Sequence, residues 1–555
     1  MKKRSEMTRD PRKWLIIFLC GLTGLLILSM IILASVPPIS RDALVHHLAI
    51  PKLYLKHGAI YEIPFMIFSY YPMNLDLLYL IPLSLGKDIM AKFIHFSFAL
   101  LTACLIFYYL RRRINILYAF LGAVFFLSIP IIIKLSITVY VDLGLVFFST
   151  ASLLLVLKWL ECGFRVRFLI LSALFCGLAM GTKYNGLITF LILTLLVPFI
   201  YSRYNNNSVP GFVGSVRYGV LFLCIALILF SPWMIRNYLW TYNPIFPLYN
   251  EWLNPQQGVI QRYMSLFTIR SSMYDESWWQ IALLPVRIFF EGRDGDPQYF
   301  DGRLNPFLLF LPFFAFYQIG ADPRDIRNEK KIMLAFVFLF FAFAFFGKEL
   351  RIRYISPIIP MLVILSIFGC SKMVERVNKF RSQFTRKIAI AGIVLILCVA
   401  FLMNAYYLLN QYKYVDPFTY INGTLTRDEY IEKYRPEYPA MRYMNENLPM
   451  DARILFIFVG NRGYYCDREY IFDMNNNRSM LHKFLMASET TEELLLRIQG
   501  KGITHLLIFY NIFDQWVKDS LTIEEQTFLK QFFQKHVRLM YLKWGYGISR
   551  LGNST

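Results

Sequence analysis

The stretch Ser40–Gly58, SRDALVHHLAIPKLYLKHG, gathers one acid, Asp42, three histidines, His46, His47 and His57, and two lysines, Lys52 and Lys56. Ionisable groups at this density in a very apolar chain point to a use for them. The plainer alternative is a solvated helix at the membrane interface. Asp42 and His46 are four residues apart and share a face of any helix they form. Carboxylate and imidazole can hold zinc. No HxxxH pair or further acid completes such a set, so a histidine here is better read as orienting or hydrogen-bonding the acid, or as filling polar space at the interface.

A second group lies further along: Asp142, Lys183, Arg236, Arg351 and Arg353, with Tyr184, Asn237 and Tyr354 beside them in sequence. A carboxylate beside apolar helix ends can act as a general base, worth about 10²–10⁴ in rate. Asp142 also starts an apolar run, where aspartate serves as a helix cap. Arginine offers a planar fork that fits phosphate, and lysine a point charge. The same side chains can instead extend to lipid headgroups. Lys183 stands in GLAMGTKYNGL, where Gly181 and Gly186 allow a backbone or ligand close approach.

These groups need a scaffold. The chain has 555 residues, 56% hydrophobic and 17% aromatic. Apolar runs of about 20 residues, enough to cross a ~30 Å hydrocarbon core, recur from Trp14 to Leu409. Basic residues at Lys2–Lys13, Arg111–Arg113, Arg165–Arg167, Arg203–Arg217, Arg324–Lys331 and Lys372–Lys387 alternate with loops poorer in them. The positive-inside rule then places the N-terminus in the cytoplasm and predicts about eleven crossings. Residues 168–201 are read as two short spans broken at Thr182–Gly186. Loops 37–87 and 236–303 and the tail 410–555 fall on the outer side, as do all the unusual polar groups above. Such clustering at one depth points to a site opening outward.

The net charge of +21 raises the question of nucleic acid, but its distribution excludes that partner. Residues 410–555 hold 18 basic and 17 acidic residues, and the excess lies in the short inner loops. The eight cysteines contain no CxxC pair, and most lie in apolar runs, so no structural zinc or redox centre is expected. The tail reads as a small α/β domain, with strands at Ile454–Val459 and Leu506–Phe509 and helices at Glu489–Gln499 and Glu524–His536. It carries no phosphate loop or dinucleotide fingerprint. The fold class is therefore an all-α polytopic membrane bundle, residues 1–409, with a C-terminal soluble α/β domain, residues 410–555.

Five motifs in order carry a family resemblance: SRDALVHHLAIPKLYLKHG, VDLGLVFF, GLAMGTKYNGL, SPWMIRNYLWTYNPIFPLYN and RIRYISPIIP. Over residues 14 to about 410 the chain resembles bacterial GT-C glycosyltransferases. The branch includes protein O-mannosyltransferases and lipid A aminoarabinose transferases. The resemblance implies a polyprenyl-phosphate sugar donor and inverting transfer to a glycan, lipid or protein acceptor. It places the reaction outside the cytoplasmic membrane. It implies Asp42 as base, Asp142 as a second acid, and Lys183 and Arg353 on the lipid phosphate. His46, His47, Lys52, Tyr184, Arg236, Asn237, Arg351 and Tyr354 are expected to line the substrates. No metal or other cofactor is implied. Mannosyltransferases carry two adjacent acids in the first loop, where this chain has Arg41-Asp42. Two rival readings are an oligosaccharide ligase or polymerase and a polysaccharide or lipid transporter. A transporter should place its ionisable groups near mid-bilayer, and here they fall at helix ends.

Overall fold

All eleven apolar segments of the sequence are helical in the computed structural model, which describes residues 11–205, 212–255, 265–345, 347, 349–475 and 478–552. The chain is a multi-pass helical membrane protein. Among the described residues, seven helices are long and apolar enough to span a bilayer alone, or eight if Ile116–Ser128 and Pro130–Ser136 count as one span bent by 67°. The remaining segments fall short for visible reasons. Val166–Thr182 has 17 residues and Phe307–Phe314 only 8. Arg324–Phe345 begins RDIRNEKK, so its first two turns are charged. The basic residues before Pro11, together with Lys348 and part of loop 236–303, lie outside the described residues.

Local chemistry explains the breaks. Pro130 has no N–H to continue the ladder, and it drives Ile129 to φ −60°, ψ 132°. Between Val166–Thr182 and Gly186–Tyr204, Lys183 is extended at φ −162°, ψ 144°. A Cβ on Gly186 would meet the Ala179 carbonyl at 2.5 Å, so only glycine lets the second helix restart there.

The chain divides into two compact units, neither continuous in sequence. The first comprises Met1–Val36, Tyr71–Leu78 and Ile89–Pro417. Its most enclosed helix is Ile359–Asn378, which packs on Phe307–Phe314 and Ile116–Ser128. Asp142–Glu161 lies against Val166–Thr182 and Ile89–Arg113. Ser152 and Ser172 hydrogen-bond across the first of these contacts at 2.7–3.0 Å, the kind of polar contact that holds helices together in lipid. A 3-10 turn, Ile352–Ile358, packs on Asp142–Glu161 and brings the RIRY motif to that helix.

The second unit comprises Pro37–Tyr70, Tyr79–Asp88 and Phe418–Thr555. Its tail holds strands β1 (Arg453–Ile457), β2 (Glu469–Phe472), β3 (Met474–Asn475), β4 (Arg478–Ser479), β5 (His505–Phe509), β6 (Val537–Lys543) and β7 (Tyr546–Leu551). Five of them form one sheet in the order β2-β1-β5-β7-β6. β1 pairs parallel with β2 and β5, while β7 pairs antiparallel with β5 and β6. The central strands read as unbroken apolar runs because both their faces are covered. Helices Thr491–Gln499 and Ile523–His536 pack their Leu494, Ile498, Leu529 and Phe532 into the same core.

Candidate functional site

The first unit brings Asp142, Lys183, Arg353 and Tyr354 into one polar group and Tyr184, Arg236 and Asn237 into another, with Tyr71 near both Tyr184 and Tyr354. Asp142 is the first residue of its helix and not the cap. The cap position is Val141, which has no side-chain acceptor to offer. The carboxylate is fully buried, and its Oδ1 accepts from Lys183 Nζ at 2.7 Å. Its Oδ2 has no hydrogen-bond partner among the described residues. Lys183 also lies 5.2 Å from the Tyr354 ring centre. The Arg353 guanidinium sits 5.3 Å from the rings of both Tyr140 and Tyr354, and its charge acts on Asp142.

His95, from Ile89–Arg113, holds the start of the Asp142 helix. Its Nε2 accepts from the Leu143 N–H at 3.0 Å, and its Nδ1 lies 3.0 Å from the Thr138 carbonyl. A ring that accepts at Nε2 must donate at Nδ1, so these two contacts define one neutral tautomer. His95 thus does for this helix end what an N-cap side chain does elsewhere.

Beside this group stands a second one. Arg236 donates to the Asn237 amide oxygen at 2.8 Å and to the Tyr71 carbonyl at 3.1 Å. Its guanidinium lies 4.6 Å from the Trp233 ring centre and 4.9 Å from that of Trp240. Asn237 donates to the Tyr184 hydroxyl, which donates to the Phe246 carbonyl at 2.7 Å. Tyr71 and Tyr184 rings are 5.1 Å apart. Burial, with Tyr354 nearby, pushes the Tyr71 hydroxyl up to about 12, so it stays a neutral donor. Trp233 donates to the Asn74 side chain at 2.8 Å, and Asn74 occupies the space a Cβ on Gly181 would need. The close approach expected at that glycine is therefore made by the protein itself.

Arg351 is drawn the other way. It pairs with Glu349 at 2.8 Å and with Asp301 at 3.4 Å. Burial pushes the Asp301 carboxyl up, but Lys134 at 3.0 Å and the Gly295 N–H outweigh it and hold the group below its usual value. Asp301 thus ties the bent helix pair to the RIRY segment. No local signal marked it for that role.

Asp42, His46, His47 and Lys52 belong to the second unit. Asp42 caps a short π-helix, Ala43–His47, without a side-chain hydrogen bond to its N–H groups. His46 stacks on Phe68, with centroids 4.2 Å apart, and His47 is buried beside it. Lys52 departs from expectation. It donates to the carbonyls of Tyr464 and Cys466 and to Asp467 at 2.6 Å. An ammonium has three donors, so all are spent on the tail and none remains for a substrate. The tail also grips the backbone on both sides of Asp42. The Tyr464 N–H donates to the Leu44 carbonyl at 3.2 Å, Tyr465 donates to Pro38 at 2.8 Å, and Arg435 donates to Ile39. Among the described residues no group of three or more His, Cys, Asp or Glu side chains converges as a metal site would require.

The comparisons with known proteins bear on this arrangement. Residues 67–244 match the family model described as dolichyl-phosphate-mannose-protein mannosyltransferase. That region holds Asp142, Lys183, Arg236 and Asn237. Among curated proteins, none matches the chain by sequence. ArnT from Cupriavidus metallidurans in the apo state is similar over 97% of this chain and 98% of its own, at 14% identity and TM-score 0.56. The same protein bound to undecaprenyl phosphate gives 14% identity, the same coverage and TM-score 0.55. The archaeal oligosaccharyltransferase AglB from Archaeoglobus fulgidus, in complex with an inhibitory peptide and a dolichol-phosphate, matches 97% of this chain and 74% of its own, at 12% identity and TM-score 0.50. The chain has the GT-C fold.

Proposed function

We propose that this chain is a membrane glycosyltransferase that moves a sugar from a polyprenyl-phosphate donor to an extracytoplasmic glycan, lipid or protein acceptor, with inversion. The observation that carries the reading is the half-buried cationic cluster of the first unit. Lys183 and Arg353 stand about one carboxylate, Asp142, with Arg236 adjoining. A surplus of fixed positive charge where water is scarce suits a group that gains negative charge on leaving. The mannosyltransferase family match over 67–244 covers three of these four residues, and the matched ArnT and AglB structures were solved with polyprenyl phosphates bound.

In this reading the acceptor hydroxyl oxygen forms a bond to the sugar's C1 as the bond from C1 to the donor phosphate oxygen breaks. The hydroxyl proton goes to Asp42, the candidate base, and the electron pair leaves with the polyprenyl phosphate. Attack opposite the leaving group inverts C1. Lys183 and Arg353 hold the phosphate. Asp142 fixes Lys183 in place and limits the net charge of the empty site. Tyr71 and Tyr354 offer hydroxyl donors to the sugar, while the Tyr184 hydroxyl, engaged by Phe246 and Asn237, holds the wall beside them. We place the site and the tail outside the cytoplasmic membrane on the distribution of basic loops.

The test is turnover of purified Asp42→Asn with saturating donor. The substitution keeps shape and hydrogen bonding but cannot take a proton. Turnover should fall by about 10²–10⁴ with donor binding retained. A well-folded Asp42→Asn protein working at the normal rate would remove Asp42 as base.

A further inference from the structure

A cavity of about 350 Å³ lies in the first unit, lined by Phe147, Leu154 and Leu155 of Asp142–Glu161, Phe175 of Val166–Thr182, and Arg112 and Lys158. Phe147 and Glu161, both in its lining, are on one helix, about 21 Å apart at ~1.5 Å per residue. Its walls are aromatic and aliphatic toward Phe147 and charged toward Glu161. Asp142 is at the opposite end of that helix from Glu161, so the charged end of the cavity lies about 29 Å along the axis from the candidate site.

The charged end has a defined balance. Arg113 pairs with Glu329, which also accepts from the Tyr109 hydroxyl at 2.6 Å. Arg112, Arg113 and Lys158 then share the single carboxylate of Glu161, at 3.1, 3.3 and 2.8 Å. Three cations face two carboxylates. Arg112 is 41% exposed and Lys158 27%, so both can reach a further anion without leaving Glu161. Arg112 gives one N–H to Glu161 and has others to offer.

We propose that this groove binds one acyl chain of an anionic glycerophospholipid, with Arg112 and Lys158 on its phosphate. Apolar walls about as long as one leaflet, half of a ~30 Å hydrocarbon core, fit a chain confined to that leaflet. Basic residues at the end of a span lie at headgroup level, where they attract anionic lipid. The net positive mouth selects against a zwitterionic headgroup. The occupant does not depend on the proposed chemistry at Asp142, and its test reads binding alone.

The test is native mass spectrometry of the full chain released from nanodiscs of phosphatidylcholine, phosphatidylglycerol or an equal mixture. Separate samples receive undecaprenyl phosphate or inorganic phosphate. One phosphatidylglycerol should be retained in preference to phosphatidylcholine. Arg112→Gln with Lys158→Gln should weaken that retention on the order of tenfold, the loss expected for hydrogen bonds to a charged group. Leu154→Trp, which fills the groove, should abolish it while leaving the charges intact. Equal retention of phosphatidylcholine would overturn the proposal, as would a preference for undecaprenyl phosphate or for inorganic phosphate alone. If Leu154→Trp does not fold, the charge variant decides. Undiminished retention there overturns the assignment, and loss of phosphatidylglycerol only supports it.

Discussion

At the scale of single residues, the Asp142 carboxylate depends on two neighbours that differ in kind. Lys183 meets it as an ion pair at 2.7 Å, and His95 fixes the helix end on which it rides. If Lys183 and Arg353 hold the departing phosphate, Lys183→Ala and Arg353→Ala should each slow transfer by about 10²–10³. Lys183→Arg should restore only part of the rate, because fork and point charge differ. Full activity in both alanine variants would remove these side chains from the phosphate site and leave them a structural role around Asp142. His95 makes a separate forecast. His95→Leu leaves the Leu143 N–H buried without an acceptor, which costs about 1–3 kcal/mol. His95→Gln, whose amide oxygen can accept, should recover most of the thermal stability and more turnover than His95→Leu. Equal turnover in the two variants would contradict a positioning role. The cationic and acidic members of this cluster were legible from residue type and spacing. His95 was not, since a lone histidine in an apolar helix carries no local mark of its partner 48 residues on.

At the scale of elements, the segment bearing Asp42 is too short to hold itself in place. The π-helix Ala43–His47 has five residues, and helix Ala49–His57 has nine. Isolated helices of that length are unstable in water. Their fixed position comes from the tail, through Lys52 and the backbone bonds that bracket Asp42. Lys52→Met should therefore lower turnover while leaving the donor's apparent affinity near the wild-type value. The exposed part of the Lys52–Asp467 pair contributes little alone, as surface pairs give about 0–1 kcal/mol. The two carbonyl bonds carry the larger share, so Asp467→Asn should be the milder change. A Lys52→Met variant that weakens donor binding and spares turnover would return Lys52 to the substrate-binding set. The sequence placed this loop correctly after the first span, and its prolines correctly limited its helices. The tail's hold on it was hidden, because its partners are over 400 residues away in the chain.

At the scale of the whole molecule, hydropathy and charge made the membrane bundle legible almost throughout, since the bilayer forces each apolar run into a helix. The helical segments follow the apolar runs, including the break at Lys183, while the bend at Pro130 emerges only in the structure. Among the described residues seven or eight are long and apolar enough to span alone, because the others are short or charged in their first turns. In the tail, β1 and β5 were visible as buried apolar runs. The edge strand β6 was not, because its apolar residues are interrupted by Arg538 and end at Lys543, and most of its side chains are exposed rather than buried. The central proposal is that the chain transfers a sugar from a polyprenyl phosphate. The most direct measurement is a mass-spectrometric comparison of surface glycans and lipid-linked sugars from cells with and without the protein, complemented by wild type or Asp42→Asn. Loss of one sugar from an acceptor, with accumulation of its polyprenyl-phosphate form, restored by wild type and not by Asp42→Asn, is the predicted result. Unchanged surface glycans and an unchanged pool of lipid-linked sugars would contradict it.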